Sequence, residues 1–299
     1  MRDRHLVGLI GADIGPSLTP PLHEREAAKL GIGYFYERID IAALGLPPER
    51  AGELLRAAGH LGYSGLNITH PCKQLVVDHL DELSSDAETL GAVNTVVFRD
   101  GRAVGHNTDW PAFQRGFVRG LPDVATGRVV LVGAGGTRAA VAHAALSLGA
   151  GRLVVVDAQP DRAAALAGAL RDEYGSDRAT AVRTEALEGE LARADGLIHA
   201  TPAGMAAHPA PAFPVAFLHP DLWVAEVVYR PLQTELLSHA RRLGCRTVDG
   251  GGMAVFQAAL SFVLFTGREP DVDRMLRHFA ALTADAPDAP ELAAGRERR

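Results

Sequence analysis

The sequence lacks the features that mark several classes of protein. Its two cysteines, Cys72 and Cys245, form neither a disulfide framework nor a metal-ligand spacing. The segment HEREA, which begins at His23, lacks the second histidine of a zinc-binding helix, so we expect no metal site. No stretch of about 18 consecutive apolar residues occurs, so we expect no membrane span. A net charge of −6 gives no basic face for nucleic acid, and we expect no nucleic-acid partner.

We also expect no targeting signal at the start of the chain. The first residues, MRDRHLVGLIG, contain an apolar stretch that is too short for a signal peptide and that leads directly into a predicted strand. Together with the low cysteine content, this predicts a cytoplasmic protein in a reducing environment. The length of 299 residues is long for one hydrophobic core and favours two domains.

Strand-like segments alternate with helical ones along almost the whole chain, which predicts an α/β fold. In the first part the strands are HLVGLIG, YFYERID and YSGLNIT, and a hairpin follows in NTVVFRDGRAVGHNTD, with its turn at Asp100-Gly101. From Trp110 onward the strands are RVVLVGA, RLVVVDA, DGLIHAT, LWVAEVVY and CRTVDG, separated by alanine-rich helices. The last helices are MAVFQAALSFVLFTG and DVDRMLRHFAAL, and from Thr283 onward we expect a disordered tail.

Three polar side chains lie close together in the segment NITHPCKQ. Asn67 and Thr69 are two residues apart, so they share one face of the predicted strand. Pro71 lacks an N–H group, so it ends the hydrogen bonding of the predicted strand, and it favours the start of a helix. Lys73 would then lie one turn into that helix. Taken alone, Lys73 is also compatible with an ordinary solvated helix lysine.

The segment VVLVGAGGTRAAVAHAAL is typical of a phosphate-binding strand, turn and helix. Gly133 permits the tight turn, and Gly135 and Gly136 allow a pyrophosphate to approach the N–H groups at the helix start. Arg138 stands where the usual fingerprint has its third glycine. Because this fingerprint is incomplete, the alternative interpretation of the segment is a flavodoxin-like domain that binds no dinucleotide.

An acidic residue after the next strand predicts the cofactor. Asp157 follows Gly133 by 24 residues and would accept hydrogen bonds from both ribose hydroxyls of NAD. The same carboxylate, roughly 4 Å from the 2′-phosphate of NADP, would repel that phosphate by about 4 kcal/mol at an effective dielectric near 20. Arg162, five residues later in a predicted helix, would favour NADP, flank the adenine or be solvated. We predict NAD.

Eight motifs occur in one order along the chain, and together they resemble the shikimate dehydrogenase family over nearly the whole sequence. They are GPSLTPPLHE, NITHPCK, GAVNTV, GHNTDW, GAGGTRAA, ATPAGM, VVYRPLQTELL and GGGMAVFQAA. The resemblance implies two α/β domains with a cleft between them. These are a mixed-sheet substrate domain at 1–109, completed by helices at 253–282, and a Rossmann domain with a doubly wound parallel sheet at 110–252, followed by a tail at 283–299.

The resemblance also implies roles for single residues. The catalytic pair is Lys73 and Asp109. The implied substrate contacts are Ser17, Thr19, Thr69, Lys73, Asn94, Asp109, Tyr229 and Gln257. The implied cofactor contacts are Gly133, Gly135, Gly136, Thr137, Asp157, Arg162, Thr201, Val227 and Gly250. Asn67 is expected to tie the strand end to its loop, and most of these residues, taken singly, are compatible with turn, cap or core positions.

Two departures from the family pattern resemble its NAD-dependent quinate/shikimate dehydrogenase branch. They are Ser17-Leu18-Thr19 in place of Ser-x-Ser, and Asp157-Ala158-Gln159 in place of Asn-Arg-Thr or Asn-Arg-Ser. The implied function is NAD-dependent interconversion of shikimate with 3-dehydroshikimate and of quinate with 3-dehydroquinate, by a monomer or homodimer. The alternatives are an NADP-dependent biosynthetic or aminoshikimate-pathway dehydrogenase, and a ligand-binding regulator without turnover. Glu226 replaces a common aspartate, and no role is predicted for it.

Overall fold

The computed structural model describes residues 4–284, which form two six-stranded sheets with helices on their faces. The first sheet contains β1 (Arg4–Gly11), β2 (Gly33–Asp40), β3 (Gly65–Ile68), β4 (Glu82–Leu83), β5 (Thr95–Arg99) and β6 (Arg102–His106). The second contains β7 (Arg128–Val132), β8 (Arg152–Val156), β9 (Ala179–Val182), β10 (Gly196–His199), β11 (Trp223–Glu226) and β12 (Thr247–Val248). The helices are α1 (Thr19–Leu30), α2 (Ala51–His60), α3 (Ser85–Leu90), α4 (Asp109–Gly120), α5 (Gly136–Ser147), α6 (Pro160–Tyr174), α7 (Leu187–Leu191), α8 (Glu235–Leu243), α9 (Gly250–Thr266) and α10 (Val272–Ala284). The α/β prediction is confirmed.

The first sheet is mixed, with strand order β2-β1-β3-β5-β6-β4. Strand β1 runs parallel to β2 and β3, whereas β5 runs antiparallel to both β3 and β6. Asp100 and Gly101 both have positive φ, 53° and 74°, as a two-residue hairpin turn requires, and the predicted hairpin is confirmed. The two-residue strand β4 was not predicted, because a strand of that length has no sequence periodicity.

The second sheet is entirely parallel, with strand order β12-β11-β10-β7-β8-β9. Val129 and Leu131 pack into the core on one face of the sheet, and Val130 and Val132 pack into the core on the other. Burial on both faces explains why these strands are continuous apolar runs. The strand order reverses between β7 and β10, and the carboxyl ends on either side of such a reversal form a crevice for ligands. Strand β9, four residues at the sheet edge, was not predicted.

Two helices connect the sheets. Helix α4 contributes Phe113 and Phe117 to a core of the second sheet. It crosses α9 closely at Gly116, where an added Cβ would lie 3.1 Å from the backbone nitrogen of Met253. Helix α9 begins directly after β12, and its far end packs Phe265 against the first sheet at Gly65. The cleft between the sheets is therefore bordered by α4 and α9.

The predicted tail begins too early. Thr283 and Ala284 belong to α10, and the Thr283 hydroxyl donates a hydrogen bond of 3.0 Å to the Phe279 carbonyl. Phe279 is buried against α9, so the packed side of α10 continues almost to this point. The remaining residues of the predicted tail, 285–299, lie outside the described residues.

The prediction of a helix after Pro71 is also wrong. Residues 70–76 form successive turns that lead into a short 3₁₀ helix, Val77–His79. The Lys73 carbonyl accepts a hydrogen bond of 2.8 Å from the Val93 N–H instead of from the next helical turn. This long-range bond holds the segment beside β5.

Candidate active site

The predicted catalytic pair forms an ion pair between the turns that follow β3 and the start of α4, which follows β6. Lys73 Nζ donates a hydrogen bond of 2.6 Å to Asp109 Oδ2, and the two side chains are 14% and 7% exposed. Asp109 is the first residue of α4, and its carboxylate faces Lys73 rather than capping the helix. A nearly buried ammonium and carboxylate in direct contact form a group that can deliver or accept a proton.

Asn94 fixes the orientation of the aspartate. Its Nδ2 donates to Asp109 Oδ1 at 2.7 Å and to the Thr108 hydroxyl at 2.9 Å, while its Oδ1 accepts from the Thr108 N–H at 2.8 Å. The Asp109 N–H donates to Asn107 Oδ1 at 3.0 Å. Asn107 and Thr108 lie in the quoted GHNTDW motif, but their supporting hydrogen bonds were not predicted. The network leaves Asp109 Oδ2 directed at Lys73.

Asn67 is structural, as expected. It is 2% exposed, and its Oδ1 accepts a hydrogen bond of 2.7 Å from the Tyr36 hydroxyl. Its Nδ2 donates to the Thr95 hydroxyl at 3.2 Å. Asn67 therefore ties β3 to β2 and β5, and its side chain lies inside the sheet rather than in the cleft.

Thr137, on the helix that follows β7 of the second sheet, contacts the same lysine. It lies in the first turn of α5, and its hydroxyl accepts a hydrogen bond of 3.1 Å from Lys73 Nζ. Thr137 was expected to contact the cofactor. Its observed contact places the candidate proton-transfer group directly beside the predicted phosphate cradle.

The predicted substrate residues come from both sides of the cleft. The Thr19 N–H donates to the Ser17 hydroxyl at 3.3 Å, and α1 begins at Thr19. Leu18, between them, packs on the same apolar cluster as Tyr229. Arg230 reaches from the second domain to donate a hydrogen bond to the Pro16 carbonyl. The structure thus brings the Tyr229 segment onto the Ser17–Thr19 loop.

The two remaining predicted substrate residues are Thr69 and Gln257. Thr69 follows β3, and its N–H donates to the Ile10 carbonyl at 2.9 Å. Its methyl group lies against Gly11, where an added Cβ would approach it to 2.3 Å. Gln257 is half-buried on α9.

Burial raises the pKa of the Tyr229 hydroxyl, so this group remains a neutral hydrogen-bonding group at neutral pH.

The glycine-rich turn after β7 fits a pyrophosphate. Gly133 has a φ of +113°, and an added Cβ there would lie 2.7 Å from the Ala200 carbonyl oxygen, so the position requires glycine. Helix α5 starts behind Gly135, whose cap involves no side-chain hydrogen bond, and its first turn contains no acidic residue. The N–H groups of that turn can therefore hold a phosphate.

Asp157 lies at the carboxyl end of β8, and Arg162 lies in the first turn of the helix that follows, α6. Asp157 directly follows β8, and its carboxylate accepts hydrogen bonds from the Ala134 N–H at 2.7 Å and the Gln159 N–H at 2.8 Å. These bonds hold the carboxylate against the glycine-rich turn and leave lone pairs for a ligand. Arg162 is exposed on α6.

The other predicted cofactor residues lie beyond β10 and β11. A Cβ added at Gly133 would lie 3.1 Å from the Thr201 methyl group. Val227 donates its N–H to the His199 carbonyl at 3.0 Å, and Gly250 packs directly on the Val227 carbonyl. Thr201, Val227 and Gly250 therefore surround the carboxyl ends of these two strands.

Sequence reasoning missed a buried hydrogen-bonded pair at the same strand ends. His199 and Glu226 are 1% and 2% exposed, and His199 Nδ1 lies 2.9 Å from Glu226 Oε1. The available signal was a polar residue at the last position of each of two apolar strands. Such a position is unusual, because charged groups are rarely buried without a partner.

Neither cysteine is suited to act as a nucleophile, because both are buried. Cys72, next to Lys73, is buried in the core of the first sheet, and burial raises the pKa of its thiol to about 11.

Among residues 4–284, no three histidine, cysteine or acidic side chains are grouped as a metal site would need. Over the same residues, no helix combines the length and apolarity needed to cross a membrane.

Two family profiles match the chain. The profile described as "Shikimate dehydrogenase substrate binding domain" matches residues 9–96, and "Shikimate 5'-dehydrogenase C-terminal domain" matches residues 250–278. The second match includes all of α9 and the first half of α10. Both matches lie in segments that border the cleft.

Individual relatives match over nearly their full length. A shikimate dehydrogenase (NADP(+)) from Streptomyces avermitilis is 63% identical, with 95% of this chain and 98% of the relative covered. A quinate/shikimate dehydrogenase (NAD(+)) from Corynebacterium efficiens is 49% identical, with 94% and 99% covered. The solved structure of quinate dehydrogenase from Corynebacterium glutamicum in complex with NAD superimposes with a TM-score of 0.88, at 47% identity, and covers 93% of this chain and 99% of that one.

Proposed function

The chain belongs to the shikimate dehydrogenase family, and we propose that it is an NAD-dependent enzyme that oxidises shikimate to 3-dehydroshikimate and quinate to 3-dehydroquinate, reversibly. Membership of this family makes it an oxidoreductase that uses a nicotinamide cofactor. The observation that carries the proposal is the Lys73–Asp109 pair, held by Asn94 and in contact with Thr137 of the phosphate cradle.

Lys73 moves the proton in the proposed reaction. A nicotinamide cofactor held by the glycine-rich turn and Asp157 would supply the acceptor for a hydride from the carbinol carbon of the substrate. As that hydride leaves, an ammonium beside the substrate oxygen stabilises the developing alkoxide, and a neutral amine can accept the hydroxyl proton. Asp109 holds the lysine nitrogen at 2.6 Å, so the group is positioned before substrate binds.

Polar groups around the cleft supply substrate recognition. We propose that the hydroxyls of Ser17 and Thr19 hold the substrate carboxylate, and that Thr69, Tyr229 and Gln257 bind substrate hydroxyls. Asn94, whose amide N–H groups both donate within the protein, contributes by orienting Asp109. Charge-assisted hydrogen bonds to a carboxylate contribute about 1.5–3 kcal/mol each. The division into a substrate domain at 1–109 with 253–282 and a cofactor domain at 110–252 remains part of this proposal.

Asp157 supports NAD over NADP. Its carboxylate is fixed at the end of β8 by two backbone N–H groups, so it cannot easily turn away from a 2′-phosphate. The quinate/shikimate dehydrogenases of Corynebacterium, at 47–49% identity, carry NAD(+) in their names.

A second candidate is NADP-dependent shikimate dehydrogenase. The 63% identical Streptomyces relative carries NADP(+) in its name, and the exposed Arg162 lies five residues after Asp157, in the first turn of α6. One assay separates the candidates: initial rates with shikimate and with quinate, each measured with NAD and with NADP. The proposal expects NAD to exceed NADP at least tenfold in kcat/KM, which corresponds to about 1.4 kcal/mol.

Replacing Asp157 with serine tests the source of cofactor preference. We expect Asp157→Ser to narrow the ratio of NAD to NADP kcat/KM, chiefly by improving NADP, because the repelling carboxylate is removed. Asp161→Ser, which removes an exposed acidic residue in the first turn of α6, is the matched control and should leave the ratio unchanged. A wild-type preference for NADP would contradict the choice of NAD.

Thr19 tests the proposed carboxylate contact. Thr19→Val keeps the shape but removes the hydroxyl, so we expect it to raise KM for shikimate and quinate together, by roughly tenfold for one lost hydrogen bond to a charged group. Thr19→Ser keeps the hydroxyl and removes a methyl group beside the substrate, so it should change the ratio of quinate to shikimate use. Unchanged KM values for both acids in Thr19→Val would show that Thr19 does not contact the carboxylate.

A further inference from the structure

The His199–Glu226 pair lies under the proposed binding site of the nicotinamide half of the cofactor. The glycine-rich turn follows β7 and Asp157 follows β8, so the adenosine half belongs on the β8 side of the switch point. The other half of a dinucleotide then extends over the ends of β10 and β11. His199 and Glu226 are the last residues of those strands and are register partners.

The surroundings of Glu226 determine which imidazole nitrogen carries the proton. The Glu226 carboxylate accepts hydrogen bonds from the Val228 N–H at 3.0 Å and from the Thr234 hydroxyl at 3.3 Å, and lies within 2.9–3.0 Å of His199 Nδ1. An ionised carboxylate only accepts hydrogen bonds, so Nδ1 must donate. In a neutral imidazole, Nε2 is then an acceptor.

The acceptor nitrogen faces Thr201. His199 Nε2 lies 2.6 Å from the Thr201 hydroxyl oxygen, which also accepts a hydrogen bond of 3.1 Å from the Ala203 N–H. The hydroxyl proton is therefore directed at His199, and one lone pair of the oxygen remains. That lone pair suits a donor, and the nicotinamide half carries donors in its ribose hydroxyls and carboxamide NH₂.

We propose that His199 and Glu226 are positioning residues for the cofactor: Glu226 orients His199, and His199 orients the Thr201 hydroxyl so that it accepts a hydrogen bond from the nicotinamide half of the dinucleotide. This inference rests on the proposed function. It explains why a carboxylate is buried between two strands, a placement that costs free energy unless the group is fully hydrogen-bonded.

His199→Asn is the sharpest test, because it keeps the hydrogen bond to Glu226 and removes the hydrogen bond to Thr201. The asparagine amide nitrogen can replace Nδ1 as donor to Glu226, whereas nothing replaces Nε2 beside Thr201. We expect the KM for the cofactor and the dissociation constant for NADH or NADPH, measured by nicotinamide fluorescence, to rise roughly three- to tenfold. The KM for shikimate should be unchanged.

A double-mutant cycle separates positioning from a general structural role. Thr201→Val should weaken cofactor binding to a similar extent, Thr201→Ser should retain wild-type binding, and His199→Asn should have no further effect in the Thr201→Val background. Additive effects of His199→Asn and Thr201→Val would overturn the proposal, as would unchanged cofactor binding in His199→Asn.

Thr234→Val provides the matched control. The Thr234 hydroxyl donates to the Glu226 carboxylate and also caps α8. Its removal should therefore lower the melting temperature without changing cofactor affinity. An equal loss of cofactor affinity in Thr234→Val would overturn the proposal. A wild-type chain that binds a dinucleotide but oxidises neither acid would contradict only the proposed function, whereas one that binds no dinucleotide would contradict both.

Discussion

Replacing Lys73 with alanine is expected to lower kcat by roughly 10²–10⁴-fold, with a much smaller change in the KM for shikimate. The ammonium is the group placed to stabilise the alkoxide or to take its proton, and the structure holds it between Asp109 at 2.6 Å and Thr137 at 3.1 Å. Its loss removes an interaction that strengthens as the hydride leaves, so the effect falls on turnover rather than on binding. Steady-state rates at saturating cofactor would measure it.

The chain offers a matched control for this experiment. It contains two lysines, Lys73 and Lys29, and Lys29 is exposed in the last turn of α1. Lys29→Ala should leave kcat unchanged. A comparison of melting temperatures is needed, because Lys73→Ala leaves the nearly buried Asp109 without its cation. If Lys73→Ala changed only KM in a folded protein, the lysine would be a binding group and the proposed mechanism would be wrong.

Asp109→Asn is expected to lower kcat by about 10²-fold, again with little change in KM. Asparagine keeps the size of the side chain and can still accept the 2.7 Å hydrogen bond from Asn94 through its amide oxygen. Its NH₂ group then faces Lys73 Nζ, so two donors oppose each other and the lysine keeps only the Thr137 hydroxyl as an acceptor. Rates of shikimate oxidation across pH would show whether the remaining activity still depends on one titrating group.

An exposed aspartate provides the comparison. Asp273 pairs with Arg119 at 3.0 Å, but both side chains are about 60% exposed, and such surface pairs contribute little. Asp273→Asn should therefore retain wild-type kcat and stability. A wild-type kcat in Asp109→Asn would show that Lys73 does not depend on the carboxylate for its position.

Local stereochemistry explains which features could be predicted from the sequence. The turn at Asp100-Gly101 requires positive φ at both residues, and the turn at Gly133 excludes a side chain, so the residue types alone indicate these conformations. The apolar runs of β7 and β8 reflect burial on both faces of a parallel sheet. The residues proposed for catalysis were identified through motifs that resemble a known family.

Other features depend on contacts between residues that are distant in the sequence. The turns around Lys73 replace a predicted helix because its carbonyl bonds to Val93, 20 residues away. The approach of Thr137 to Lys73 depends on how the two sheets are packed, which no local pattern records.

The amino-acid sequence by itself determined the α/β alternation, the phosphate cradle and the acidic residue beside it, because each depends on the backbone preferences or burial of neighbouring residues. Only the tertiary structure decided that Asp109 faces Lys73 instead of capping its helix, and that His199 pairs with Glu226, 27 residues later. The physical reason is that a hydrogen bond between distant residues depends on strand order and register. These are set by the packing of the whole sheet and leave no periodic signal in the chain.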